Sequence, residues 1–392
     1  MRLPMFSERT RWDLRPNRLA ERLAAKRRAG ARILDLTASN PTQVGLRYPD
    51  DLLLPLAGPK ALLYEPAPFG LPAARAAVAA DFARRGFAVP AERILLSTST
   101  SEAYSFLFKL LCDPGDEVLV PSPGYPLFEF LAALESVEVR TYPLAHDGEW
   151  HLDVAALRAA AGPRTRAVVA VSPGNPTGAF LKLDERAALE ALCAERSMAL
   201  VSDEVFADFA FRDDPRRAAS VARDGEALAF ALGGLSKSCG LPQLKLAWTA
   251  VTGPAALRRD ALARLEVVAD TYLSVSTPVQ AAAPALLARR DELQAPIRER
   301  VLANLGALRR ALGPGSPATL LEPEGGWYAV LRIPATRSEE ERVTRLLDGR
   351  DVLVHPGYFF DFPGEAYLVL SLLPPVAEFA EGVAGVVADL VL

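Results

Sequence analysis

Residues 233–248 read GGLSKSCGLPQLKLAW and hold two of the chain's six lysines; Lys plus Arg total 44, so the other 38 cations are Arg. Charge alone does not call for Lys237 or Lys245, because guanidinium supplies it. An amine differs in that it can lose its proton and attack a carbonyl. Lys237 therefore reads as a Schiff-base lysine, and the rest of the sequence has to hold a carbonyl partner against it. Candidates stand at the ends of successive apolar runs: STSTSE (97–102), PSPGY (121–125), SPGNPTG (172–178), SDEVF (202–206) and GLSK (234–237). Together they offer hydroxyls and loop amides, an aromatic ring, a side-chain amide, a carboxylate and the amine. Each alone has an ordinary explanation: a loop lysine, a turn at NPTG, a helix cap at Asp203, a core ring at Tyr125. The signal lies in their order and in their shared position after apolar runs.

Those runs predict the elements that carry the candidates. Helix 71–85 precedes a strand at 93–97, then helix 101–112, strand 117–121, helix 126–134 and strand 137–144. Helix 153–161, strand 166–172, helix 183–196 and strand 198–205 follow, and strands 227–232 and 245–251 flank the lysine loop. Runs such as AVVAV are apolar at every position, as parallel strands covered by helices on both faces must be. In such sheets ligands sit beyond the carboxyl ends of the strands, where these candidates stand. Ahead of this region come a helix at 16–29, a strand at 33–36 and a Pro- and Gly-rich loop over 37–70. After helix 254–270 the pattern changes to long helices near 279–311, strands 327–333, 352–356 and 367–372, and a terminal helix. The expectation is a large α/β domain over 46–280 and a smaller α+β domain from 1–45 plus 281–392.

With these residues in this order the chain resembles the class I/II aminotransferases, fold type I enzymes that depend on pyridoxal 5'-phosphate (PLP). Their fold is α/β, a mostly parallel central sheet flanked by helices, with a smaller α+β domain. The likeness covers nearly the whole chain, with 28 positions from Asn175 to Asp203 and 34 from Asp203 to Lys237. It implies a ping-pong exchange of an amino group between an amino donor and a keto acid. Lys237 would condense with the PLP aldehyde and shuttle a proton once released. Asp203 would hold the proton of the pyridine nitrogen, Asn175 would donate to the phenolate oxygen and Tyr125 would stack on the ring. Thr100, Ser101, Ser236 and Lys245 would hold the phosphate. Tyr64, in YEPAPFG, would reach the phosphate of a neighbouring subunit, which implies a homodimer with shared sites. Asn40, Arg47 and Tyr358 are candidates for contact with substrate, and Trp327, Tyr328 and Phe359 for the mouth of the pocket.

Four positions depart from the family pattern. Phe206 stands where a tyrosine usually donates to the PLP oxygen, which leaves Asn175 alone there. Gly234 replaces a frequent serine, with Ser236 able to compensate, and Lys245 replaces a phosphate-gripping arginine and loses its two-pronged fork. The largest departure is Val369 in AYLVLSLLPP, where the family has the arginine that clamps the substrate α-carboxylate. Residues 351–392 contain no Lys or Arg at all, so no shift of register supplies one. Such charge-assisted bonds are worth roughly 1.5–3 kcal/mol each. Either another cation, with Arg47 a candidate, replaces that arginine, or the substrate lacks the carboxylate. The alternative reading is a PLP-dependent lyase, decarboxylase or cyclase on the same scaffold. A purely regulatory role fits less well with Lys237 and Asp203 both intact.

Composition narrows the setting. The net charge of −4 and pI near 5.7 give no footprint for nucleic acid or membrane. Cys112, Cys193 and Cys239 are scattered and make neither a disulfide framework nor a metal site. The N-terminal segment mixes Arg with Asp and Glu, unlike a secretory signal or transit peptide, and no apolar run could span a bilayer. A cytoplasmic protein is expected. His146, His151 and His355 lack partners at catalytic spacing.

Overall fold

The computed structural model describes residues 5–364 and 366–391. Helix α1 (Arg18–Arg28), capped by the Asn17 side chain accepting from Ala20 N, precedes the short strand β1 (Leu34–Asp35). A long loop leads to α2 (Pro72–Arg84), whose first residue is a proline, at a position where no backbone donor is needed. The alternating region opens with β2 (Ile94–Ser97), α3 (Thr100–Leu111), β3 (Glu117–Ser122), α4 (Phe128–Leu134) and the hairpin β4 (Glu138–His146)–β5 (Trp150–Leu152). It continues with α5 (Val154–Ala160), β6 (Thr165–Val171), α6 (Leu183–Arg196), β7 (Ala199–Asp203) and β8 (Ala229–Gly234). The single turn α7 (Leu235–Ser238) and strand β9 (Ala247–Thr252) complete it. Helices α8 (Ala255–Tyr272), α9 (Thr277–Ala288) and α10 (Arg290–Ala311) lead to β10 (Thr319–Leu321) and β11 (Tyr328–Arg332). The chain ends with α11 (Glu339–Arg350), β12 (Val352–Leu353), β13 (His355–Pro356), β14 (Tyr367–Ser371) and α12 (Val376–Leu390).

The large sheet has eight strands in the order β2-β9-β8-β7-β6-β3-β4-β5. Neighbours from β8 across to β4 are parallel, β9 is antiparallel to both β2 and β8, and β5 is antiparallel to β4. Strand β2 therefore runs with β8, and the carboxyl ends of β2, β3, β6, β7 and β8 share one rim. Strand β9 starts at that rim, since Ala247 pairs with both Ser97 and Gly234. Both faces of the sheet are buried: Val168 and Ala170 join one apolar cluster, Ala167 and Val169 the other, beneath α3 and α8. That double burial is why these strands lack polar alternation.

A second, antiparallel sheet runs β10-β11-β14-β13, and β1 pairs in parallel with β12. Ile297, Val301 and Leu305 of α10 pack there with Phe379 and Val383 of α12. Helix α9 packs instead against the large sheet through Val279, Ala283 and Leu286. The helical stretch near 279–311 is thus divided between the two cores. Strand β10 and the turn α7 were not anticipated, nor were two further elements. Strand β5 turns back on β4 through Gly148 at φ +115. Helix α11 is capped by Ser338 accepting from Glu341 N and buries Val343, Leu346 and Leu347. No helix among the described residues is long and apolar enough to cross a membrane.

Candidate active site

A cavity of about 310 Å³ opens at the shared rim of the large sheet. Its hydroxyl-rich end is the start of α3. Ser99 caps the helix by accepting from Glu102 N at 3.1 Å, so the amides of Thr100 and Ser101, at the first two helical positions, have no intrahelical partner. Ser99, Thr100 and Ser101 line the cavity with Ser236. Gly234 lines it too, and a Cβ there would stand 3.1 Å from the Ala247 Cβ. The turn that presents Asn175 ends at Gly178, which has φ +70 and lies so close to the second core that a Cβ would meet Gly325 O at 2.6 Å. Only glycine suits both demands. The Asn175 Oδ1 is buried without a partner.

Lys237 and Asp203 face the same cavity. The amine lies over two rings, 4.9 Å from the Trp327 centroid and 5.4 Å from that of Phe206. Burial pushes its pKa down to about 8, with the Asp203 charge opposing the fall. Burial also pushes Asp203 up to about 6, against the bonds it accepts from Val205 N at 3.2 Å and Tyr104 Oη at 3.1 Å. Each group leans towards its neutral form, and each lacks a full counter-charge. Trp327 is itself fully buried, edge-on to both Phe206 and Phe209. The loop after β7 is thereby wedged against the second sheet.

Eight of the candidate residues line this cavity: Thr100, Ser101, Tyr125, Asn175, Asp203, Phe206, Ser236 and Lys237. The other five lie outside its described lining. Lys245 is exposed in a left-handed turn at φ +54, at the end of the tight turn Pro242–Leu244. Asn40 closes a local turn, its Oδ1 accepting from Thr42 N at 3.0 Å and Thr42 Oγ1 at 2.8 Å. Arg47 is exposed on the same loop. Tyr358 is 46% exposed, edge-on to Phe359, with its backbone N–H bound to Glu339. Tyr64 is 71% exposed and lines a separate groove with Leu273 and Gln280. Val369 is fully buried with Trp150, Phe360 and Phe362 in an apolar cluster between β14 and the β4–β5 hairpin.

Sequence reading passed over several residues that the fold brings in. Ser39 lines the cavity where Asn40 was expected, along with Phe128 and Val205. Tyr104 supports Asp203 from beneath; its signal was a phenol one helical turn after Thr100, on the buried face of α3, where its O–H needs a partner.

A buried amine, a buried carboxylate, an unpartnered amide and a hydroxyl-lined helix start, all at the carboxyl rim of a parallel sheet, define a PLP-type site. The family model for class I and II aminotransferases matches residues 54–372, and the chain belongs to that family. It is 28% identical over 375 residues to an alanine aminotransferase of Mycobacterium tuberculosis, covering 93% of this chain and 86% of that one. It is 26% identical over 358 residues to the glutamate-pyruvate aminotransferase AlaA of Escherichia coli, covering 89% and 88%. Among solved structures, an E. coli aminotransferase superposes with a TM-score of 0.88 over 100% of this chain and 99% of that one, at 24% identity. A Thermus thermophilus aspartate aminotransferase variant gives 0.85 over 99% and 100%, also at 24%. The protein is a PLP-dependent aminotransferase that exchanges an amino group between an amino donor and a keto acid. The lyase, decarboxylase and cyclase alternative finds no support among these relatives.

The residues present fit PLP. The unpaired α3 amides and the Asn175 side chain, whose amide nitrogen can donate to a phenolate, line a cavity of suitable size. Asp203 is a desolvated carboxylate that a cationic ring would satisfy.

Proposed function

We propose that Lys237 is the catalytic amine and Asp203 the group that keeps the ring nitrogen of PLP protonated. When bound, PLP supplies an aldehyde for the amino group and a cationic ring that accepts the electron pair left on the substrate carbon. Lys237 Nζ, with its pKa lowered to about 8, is part-deprotonated near neutral pH. Such an amine would serve as a nucleophile for the cofactor's aldehyde and, when free, as the base that moves a proton at the substrate carbon. Tyr104 and Val205 N orient the Asp203 carboxylate. Asn175 offers its amide to the phenolate oxygen, Tyr125 its ring face, and Ser99, Thr100, Ser101 and Ser236 receive the phosphate.

The observation that carries this reading is the amine and the carboxylate buried in one cavity, each pushed towards neutrality. PLP added to the purified protein should give a visible absorbance band that borohydride fixes onto Lys237 and an amino donor bleaches in a single turnover. A colourless protein, or a label on another lysine, would overturn it.

We further infer a homodimer. Leu53, Leu54, Leu62, Leu63 and Tyr64 are exposed around tight turns that pack on α9, and Leu273 is exposed beside Tyr64. Such a patch favours a partner surface, and sedimentation tests it. A cytoplasmic location is proposed from the three free cysteines. The domain division expected at 46–280 is kept with its second boundary moved to Arg290, because α9 packs on the large sheet.

A further inference from the structure

Among the described residues lining the cavity, Lys237 is the one cation. Arg47 and Lys245 are exposed and outside the lining. The guanidinium on the corresponding face of the second sheet, Arg332 opposite Tyr367, is exposed and outside the lining as well. On the face of β14 that bears Val369, the pairs are Arg332 with Tyr367 at one end, Val330 and His355 with Val369 in the middle, and Tyr328 with Ser371 at the cavity end. Val369 is sealed there by Trp150 and Phe360, and the surrounding apolar groups push the His355 imidazole down to about 4, so it is neutral.

What this wall does offer is uncharged. Ser371 Oγ donates to Ala38 O at 2.6 Å and fixes the loop that carries Ser39. Ser39 and Tyr328 both line the cavity with Asn175. A carboxylate entering here would accept strong bonds from neutral hydroxyls and an amide, but with no cation opposite it nothing further offsets the loss of its hydration. An amide or alcohol gains weaker bonds but gives up much less hydration. A carboxylate therefore has little advantage.

We propose that the group beside the substrate's reacting carbon is held by neutral donors alone, Ser39, Tyr328 and Asn175, and that amines whose carboxylate is replaced by an amide or hydroxymethyl react nearly as well as amino acids. This rests on the aminotransferase site described above. The chemistry is unchanged: nitrogen passes from donor to cofactor and the donor leaves as its oxo counterpart, with no added oxidant.

The test compares L-phenylalanine, L-phenylalaninamide and L-phenylalaninol on the PLP-loaded protein by stopped-flow bleaching of the visible band. Calorimetry on the same protein measures binding of the unreactive pair 3-phenylpropanoate and 3-phenylpropanamide. Rates and dissociation constants should agree within about tenfold across charged and uncharged heads. Tyr328→Phe and Ser39→Ala should weaken both classes alike, by a few-fold each. A loss above about a hundredfold for uncharged heads would overturn the proposal and place a guanidinium from outside this lining, Arg47 or a partner subunit's, at the site. If no donor bleaches the band, the assignment of the reaction fails, while the unreactive pair still decides the matter of charge.

Discussion

Asp203→Asn should stabilise the cofactor-free protein at neutral pH and weaken the loaded one. Burial raises the Asp203 carboxyl from 3.8 to about 6 even with two hydrogen bonds in place. A rise of about two pKa units, at 1.36 kcal/mol each, corresponds to about 3 kcal/mol against the ionised form. Between 3.8 and about 6 the folded state holds a proton that the unfolded state has lost. This group's contribution therefore makes stability fall as pH rises through that window. Lys237 has the opposite slope, since its pKa falls from 10.5 to about 8 and the unfolded chain holds the extra proton there. The two windows do not overlap, so an acid-side series isolates Asp203. Asn retains an acceptor for Tyr104 or Val205 but not for both, which offsets about 1 kcal/mol. The net expectation is about 2 kcal/mol of added stability for the cofactor-free variant at pH 7.5. In the loaded protein the carboxylate has gained a cationic partner, so the same change should cost about 10–100-fold in PLP affinity. Urea midpoints for both forms of wild type and variant, from pH 4 to 8, measure each part. A cofactor-free variant less stable than wild type at pH 7.5, or a wild-type profile flat between pH 4 and 6, would refute the reasoning.

Three further outcomes follow from the same geometry. Tyr104→Phe removes a donor that lowers the Asp203 pKa, so that pKa should rise further and PLP retention fall about three- to tenfold, read by cofactor titration. Phe206→Tyr adds a hydroxyl to a ring 5.4 Å from the Lys237 amine; with a second donor beside Asn175, absorbance against pH should show the bound chromophore titrating at lower pH. Lys182→Met strands the buried Glu324 carboxylate, whose ion pair has side chains only 7% and 5% exposed, and should cost about 3–5 kcal/mol in denaturant unfolding. The double variant Lys182→Met/Glu324→Gln should recover part of that loss.

The cofactor end of the site was legible because strand ends are punctuated in sequence. NPTG, SDEVF and GLSK each close an apolar run, and parallel topology sends those ends to one rim, so order along the chain becomes proximity in space. What stayed hidden depends on packing between distant segments. Tyr104 is chosen by the register of α3 over the sheet, and Lys245 lies outside the cavity lining, in a left-handed turn that the sequence does not announce. Strand β5 escaped notice because it has three residues and takes its meaning from Trp150 packing on the second sheet.

The substrate end was the least legible part, and the reason is physical. Its walls come from Ser39 on the early loop, Val205 after β7 and Tyr328 on β11, and no spacing rule ties positions so far apart. An arginine missing from β14 could be seen in sequence, but not whether another cation replaced it. That depended on the fate of the space around Val369, and packing decided it: the β4–β5 hairpin brings Trp150 against Val369, Phe360 and Phe362, and the group is buried. A guanidinium placed there would be buried among Trp150, Phe360 and Phe362, a cost of several kcal/mol unless an acid met it. The hairpin and the valine therefore belong together. The aromatic seal makes a charge at position 369 costly, and with no charge there the neutral hydroxyls of Ser39 and Tyr328 are left to face the substrate.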